Sequence, residues 1–162
     1  MCYKGDLGGV RAALASWEDG EMTNVNTGNE KNFTGLMASI YAGHNEVVEV
    51  LLKQSSLDVN TSDSHGITAL HWATAWNNVT GLKMLLADPR LTSVNARRGN
   101  GLTPLMSAIN GGSVECVREL VREKGVDLDT RNDQGRRMEE VARWVKCLAM
   151  LATFKISIIR HA

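Results

Sequence analysis

Apolar positions along this chain come in short blocks separated by polar stretches. Val47, Val48, Leu51 and Leu52 fall at i, i+1, i+4 and i+5, which lines one face of a helix. Val117, Leu120 and Val121 repeat that stripe further on. Each stripe follows a shorter block of small and apolar residues, with a break between the two. Polar runs at residues 61–66 and 96–101 then separate each pair of blocks from the next. They are rich in Ser, Asp, Asn and Gly and suit a turn that projects away from the helices. The pattern predicts a helix, a break and a second helix, several times over.

The blocks are in step. Val25-Asn26, Val59-Asn60, Val94-Asn95 and Leu128-Asp129 occupy one slot, spaced by 34, 35 and 34 positions. Thr34, Thr68 and Thr103 keep the same beat, each followed two residues later by a leucine (Leu36, Leu70, Leu105). Threonine at the head of each unit is placed to cap a first helix, and Pro104 falls in a first turn, where a missing N–H costs nothing. Gly43 and Gly112 permit the break between helices. One helix pair is too small to bury its own apolar face, so the units must stack on one another.

With Thr103-Pro104-Leu105-Met106-Ser107-Ala108, Thr68-Ala69-Leu70-His71-Trp72-Ala73 and Gly43-His44, residues 4 to 135 resemble the ankyrin-repeat family, whose signature is T-P-L-H-x-A at a period near 33. The resemblance implies an all-α ankyrin-repeat solenoid of stacked helix-turn-helix units joined by projecting β-hairpin-like turns. It makes residues 1–162 a single domain. A truncated N-terminal repeat takes 1–31, full repeats take 32–65, 66–100 and 101–134, and a degenerate C-terminal repeat or cap takes 135–162.

Both ends depart from the pattern. The N-terminal unit lacks most of its first helix, which leads us to expect a fragment or a truncated product. It would leave Val10 and Leu14 uncovered, a face through which the chain could dimerise. At the other end Glu139 stands in the leucine slot. The apolar run at 144–159 is interrupted by Lys146 and Lys155 and is shorter than the roughly 20 residues a membrane span needs. Residues 136–162 hold six Arg/Lys and two Glu, a net of +4. The preferred reading is a helix that closes the last repeat. The alternative is a basic amphipathic tail that lies on a membrane.

Charge and composition narrow the function. Lys+Arg and Asp+Glu both number 18, giving no cationic field of the kind a nucleic-acid partner would need. Cys2, Cys116 and Cys147 are odd in number and widely spaced. They are read as reduced thiols in a cytoplasmic or nuclear protein rather than as disulfides or a zinc site. The N-terminus has no apolar segment of a secretory signal. The four histidines form no H-E-x-x-H, and no G-x-S-x-G or phosphate loop occurs. We therefore expect no enzyme, no metal and no cofactor. The resemblance gives His44 and His71 structural roles.

In ankyrin proteins partners usually meet the turn tips and the exposed side of each first helix. On that basis the binding positions here are Phe33, Tyr41, His65, Ile67, Trp76, Asn100, Leu102 and Asn110. Among them Phe33, Tyr41, Ile67, Trp76 and Leu102 are expected to form an apolar stripe along the groove, since exposed aromatic groups mark interfaces. Trp72 is assigned to the core. Arg97, Arg98 and Arg131 could meet an acidic partner, although surface arginines are ordinarily just solvated. Asn60 and Asn95 match the turn asparagine that is a hydroxylation target in the family. The expected role is a scaffold or adaptor that binds another protein. The alternatives are a membrane or cytoskeletal adaptor using the tail, and a regulatory segment of a larger enzyme.

Overall fold

The computed structural model describes residues 24–137. The expectations placed on Val10, Leu14 and the tail beyond residue 137 lie outside them. The described residues form six helices in order: α1 Gly35–Ala42, α2 Asn45–Leu52, α3 Ala69–Ala75, α4 Val79–Leu86, α5 Pro104–Asn110 and α6 Val114–Arg122. Each pair folds back on itself. The inner helices α1, α3 and α5 pack in succession, and so do the outer helices α2, α4 and α6.

The helices start where the threonines stand. Thr34 Oγ1 accepts from Met37 N at 3.4 Å, and Thr103 Oγ1 accepts from Met106 N at 3.3 Å. All three threonines have extended backbones (ψ 166–170°) before the first helical residue. Pro104 is the first residue of α5, as its fixed φ favours. The break between paired helices needs a left-handed residue. Gly43 (φ 75°) and Gly112 (φ 69°) provide it, while the middle repeat uses Asn77 (φ 53°). Asparagine tolerates this region better than other residues with a Cβ, because its short side chain can bond locally.

The predicted apolar faces are buried. Leu36, Met37, Ile40, Leu70, Ala73, Leu105, Ala108 and Ile109 from the inner helices meet Val48, Leu51, Leu82, Leu85, Val117 and Leu120 from the outer ones. Val47, Leu52 and Val121 lie at the edge of the same core. At about 1.5–3 kcal/mol for each large side chain taken out of water, stacking supplies what one pair could not.

Side chains then bolt the repeats together. Asn78 opens α4, accepts from Gly81 N (2.9 Å), and donates back to the carbonyl of Ile40 in the previous repeat (3.0 Å). Ser113 opens α6 and reaches the carbonyl of Thr74 in the same way, at 2.8 Å. The Val-Asn slot works as a staple. Asn26, Asn60 and Asn95 donate to the carbonyls of Ser56, Arg90 and Gly125 (2.8, 2.8 and 2.6 Å). Their Oδ1 atoms accept from Asp58, Thr92 and Asp127 N–H groups one repeat on (2.7–2.8 Å).

Candidate functional site

Among the described residues, four hairpin turns project from the helix stack. Backbone bonds close them: Asn29 N to Phe33 O, Asp63 N to Ile67 O, Arg98 N to Leu102 O and Asn132 N to Arg136 O (2.9–3.2 Å). Three of them also form an isolated antiparallel bridge, at Gly28–Thr34, Ser62–Thr68 and Arg131–Arg137. The tips bond one to the next. Ser64 N donates to Lys31 O (2.9 Å), Gly99 N to His65 O (2.7 Å), and Asp133 N lies 3.5 Å from Asn100 O. The hairpin-like turns expected from the sequence thus form one continuous edge, and the inner helices line the face beside it.

An Asn or Asp side chain braces three of these turns. Asn29, Asp63 and Asn132 each accept from the backbone N–H groups two and four residues ahead. The third turn has Arg98 in that slot. There Asn100 Oδ1 takes over, accepting from Leu102 N at 3.3 Å.

The predicted binding residues separate into two groups. At the first two repeats lies an aromatic cluster. Tyr41 meets Trp72 edge-on at 5.4 Å and Trp76 edge-on at 4.9 Å, and Phe33 meets Trp72 edge-on at 5.3 Å. Such edge-to-face contacts add about 0.5–1.5 kcal/mol beyond area burial. They hold Trp76, 57% exposed, at the end of α3. Trp72 is half-buried against the core, as assigned.

At the third and fourth turns lies a cavity of about 290 Å³, lined by Arg98, Asn100, Leu102, Asn110, Asn132, Gln134 and Arg136. Three predicted residues, Asn100, Leu102 and Asn110, therefore share one cavity, while His65 sits exposed on the tip of the second turn.

The continuous exposed apolar stripe does not form. Leu102 is only 6% exposed, and Phe33, Tyr41 and Ile67 are half-buried. The reason is lateral packing. Phe33 packs against the core and is held edge-on by the Trp72 ring of the following repeat, and that ring also meets Tyr41 edge-on. Of the five, Trp76 alone is exposed.

The surface arginines also differ from expectation. Arg97 is a brace, donating to Arg131 O (2.6 Å) and pairing with Asp133 (3.1 Å). Arg131 donates to Gly135 O at 2.8 Å. Arg98 is half-buried, so solvation as a free surface group does not describe it. Sequence reasoning also passed over Arg90, whose guanidinium pairs with Asp88 (2.6 Å) and donates to the carbonyls of Leu52, Gln54 and Leu57. Asn60 and Asn95 are half-buried and occupied as staples.

Among the described residues, no group of three His, Cys, Asp or Glu could hold a metal ion, and no helix is long and apolar enough to cross a membrane.

Comparison with known proteins agrees with this architecture. A family model described as ankyrin repeats in three copies matches residues 1–95, and one described as ankyrin repeats in many copies matches residues 85–138. The nuclear factor NF-kappa-B p105 subunit of Gallus gallus is 30% identical over 70% of this chain and 11% of its own length. The protein fem-1 homolog A-like of Mus musculus is 32% identical over 62% of this chain and 15% of its own. The tyrosine-protein kinase HTK16 of Hydra vulgaris is 28% identical over 68% of this chain and 15% of its own. The chain thus spans only a small part of the relatives it matches. Ankyrin repeats are protein–protein interaction modules, generally without catalytic activity of their own. By its repeat period, its capped helix pairs, its stapled turns and these matches, the chain belongs to the ankyrin-repeat family.

Proposed function

We propose that this chain is a scaffold or adaptor module that binds a partner protein along the face formed by the hairpin tips and the inner helices. The observation that carries the reading is Trp76, 57% exposed and held edge-on by Tyr41. A large aromatic ring kept wet is costly, and one whose orientation is already set loses little freedom on binding. Central aromatic anchors contribute about 2 kcal/mol or more to an interface. His65 and Asn100 are exposed on the turn edge and Asn110 is exposed at the end of α5, and they supply polar contacts.

The test uses a photo-crosslinking residue at exposed Ala75, beside Trp76 at the end of α3, and, separately, at exposed Val50 on outer helix α2. A partner crosslinked from position 75 but not from 50, and lost when Tyr41→Ala/Trp76→Ala is added to the folded crosslinking chain, supports the reading. Crosslinking from position 50 alone would move the interface to the outer helices.

A second reading draws on the long relatives, one named as a tyrosine-protein kinase and one as an E3 ubiquitin-protein ligase. In that reading the repeats are the regulatory segment of a larger enzyme. An endogenous product detected only at the size of this chain would count against it.

A further inference from the structure

The cavity at the third and fourth turns has the chemistry of an anion receptor. Two guanidinium side chains, Arg98 and Arg136, line it together with Asn100, Asn110, Asn132 and Gln134 over the apolar wall of Leu102. Among the described residues, no Asp or Glu lines it. Asp133, in the next turn, is engaged by Arg97 at 3.1 Å, and Asp63, in the preceding turn, accepts from the backbone N–H groups of His65 and Ile67.

Arg98 is the informative residue. In the other three turns its slot holds an Asn or Asp that closes the turn on itself. An arginine accepts no hydrogen bond, so it cannot do that work, and Asn100 does it instead. The side chain of Arg98 is thereby free of a turn role. Its Nε is buried without a hydrogen-bond partner, and it forms no ion pair with a described residue. Burial also draws its pKa below the ordinary arginine value. Arg97 and Arg131, one place before it and in the next turn, are by contrast bonded to neighbouring carbonyls. A half-buried cation lacking its counter-charge is costly, and a carboxylate offered to it gains charge-assisted bonds in a partly water-excluded site.

We propose that this cavity receives the carboxylate side chain of a Glu or Asp in the partner segment, with Arg98 as the principal contact and Arg136 beside it. The proposal rests on the partner-binding reading above and places an acidic residue of the partner beyond the aromatic contact at Trp76.

The test follows the Arg Nε–Hε signals of the whole chain by NMR during titration with acetyl-glutamate amide and, separately, acetyl-glutamine amide. The expected result is a saturable shift at Arg98 with the glutamate compound and at least tenfold weaker binding of the glutamine one. A folded Arg98→Gln chain should lose at least tenfold in binding, and Arg98→Lys should retain part of it. Equal response to both compounds, shifts confined to Arg97 and Arg131, or undiminished binding by Arg98→Gln would overturn the proposal. The comparison of the two compounds on the unaltered chain does not depend on any variant folding. If position 75 still crosslinks a partner while Arg98 ignores the carboxylate, the cavity proposal fails and the groove reading stands.

Discussion

His71 Nε2 lies 3.0 Å from the carbonyl oxygen of Leu102, one repeat further along the chain. On the other side of the ring, Nδ1 accepts from Thr68 N at 3.3 Å and lies 2.9 Å from the Thr68 hydroxyl. The neutral ring with its proton on Nε2 satisfies both sides at once. It braces the start of α3 and ties that helix to the next turn. Met37 and Met106 fill the equivalent slots of the neighbouring repeats, both buried, and provide packing without that tie.

Protonating His71 would place a second N–H against the Thr68 amide donor. Burial, the largest effect, lowers its pKa from 6.5 to about 4, against a smaller rise from the Leu102 bond. The unfolded chain therefore takes up this proton first. Stability from this residue is complete above pH 6.5 and is lost as pH falls toward 4, by about 3 kcal/mol in all. Urea denaturation at a series of pH values should show the decline. A His71→Met chain should be nearly flat over the same window, and an equal slope in both would disprove the assignment.

Gly101 has φ +73°, and a Cβ there would meet the Asp133 carboxylate and lie 2.5 Å from the Asp133 backbone nitrogen. Gly101→Ala should cost more than the roughly 1–2 kcal/mol of left-handed strain, because the adjacent turn must also shift. Asn77→Gly is the opposite case, relieving strain at φ 53°, and should stabilise by about 1 kcal/mol or less. Midpoints of chemical denaturation read both effects.

Arg90 ends a chain of contacts that spans two repeats. Its guanidinium caps the carbonyls after α2, its pairing with Asp88 holds that carboxyl below the usual carboxylate range, and its own carbonyl accepts from the Asn60 staple at 2.8 Å. Arg90→Ala should destabilise by about 2–3 kcal/mol, since Asp88, 7% exposed, keeps its charge with the backbone N–H of residue 90 in place of the guanidinium pair. Combining it with Asp88→Asn should cost less than the sum of the two single changes. Strict additivity in that cycle would show that the pair is not coupled. We also propose hydroxylation at Asn60 and Asn95, read as about +16 Da on either peptide from native material. The staple bonds would have to open to admit the modifying enzyme, so the mark should rise in chains destabilised at Arg90.

Cys116 is buried, and desolvation, with Glu115 and Glu119 adding to it, pushes its thiol up to about 11. The thiolate is the reactive form, so Cys116 should react with iodoacetamide at neutral pH only as fast as the chain opens. Its labelling rate should follow the urea dependence of unfolding. Fast labelling of Cys116 itself in the folded chain, read on its own peptide apart from those of Cys2 and Cys147, would contradict its burial.

Much of this architecture is legible in the order of residues. Threonine caps, the left-handed Gly43 and Gly112, the apolar stripes of the outer helices and the Asn slot depend on local rules, and a beat of 34 and 35 residues repeats each rule until it stands out. The middle repeat has no glycine in that slot, and it is the backbone of Asn77, φ 53°, that shows asparagine filling it. Contacts between repeats are not legible. Leu102 and Trp76 both read as exposed apolar positions, yet one is 6% exposed and the other 57%. Their neighbours one repeat away decide the difference, and a linear pattern does not contain those neighbours. Arg97, Arg98 and Arg131 read as alike. Stacking of the turns assigns Arg97 to the carbonyl of Arg131, closure of its own hairpin assigns Arg131 to that of Gly135, and Arg98 is left lining a cavity without an acidic partner among the described residues. The sequence by itself determined which elements form and how often they recur, because capping and periodicity act within a few residues of the chain. The tertiary structure alone decided which side chains remain available to a partner, because exposure in a stacked solenoid is set by residues some 30 to 40 positions away.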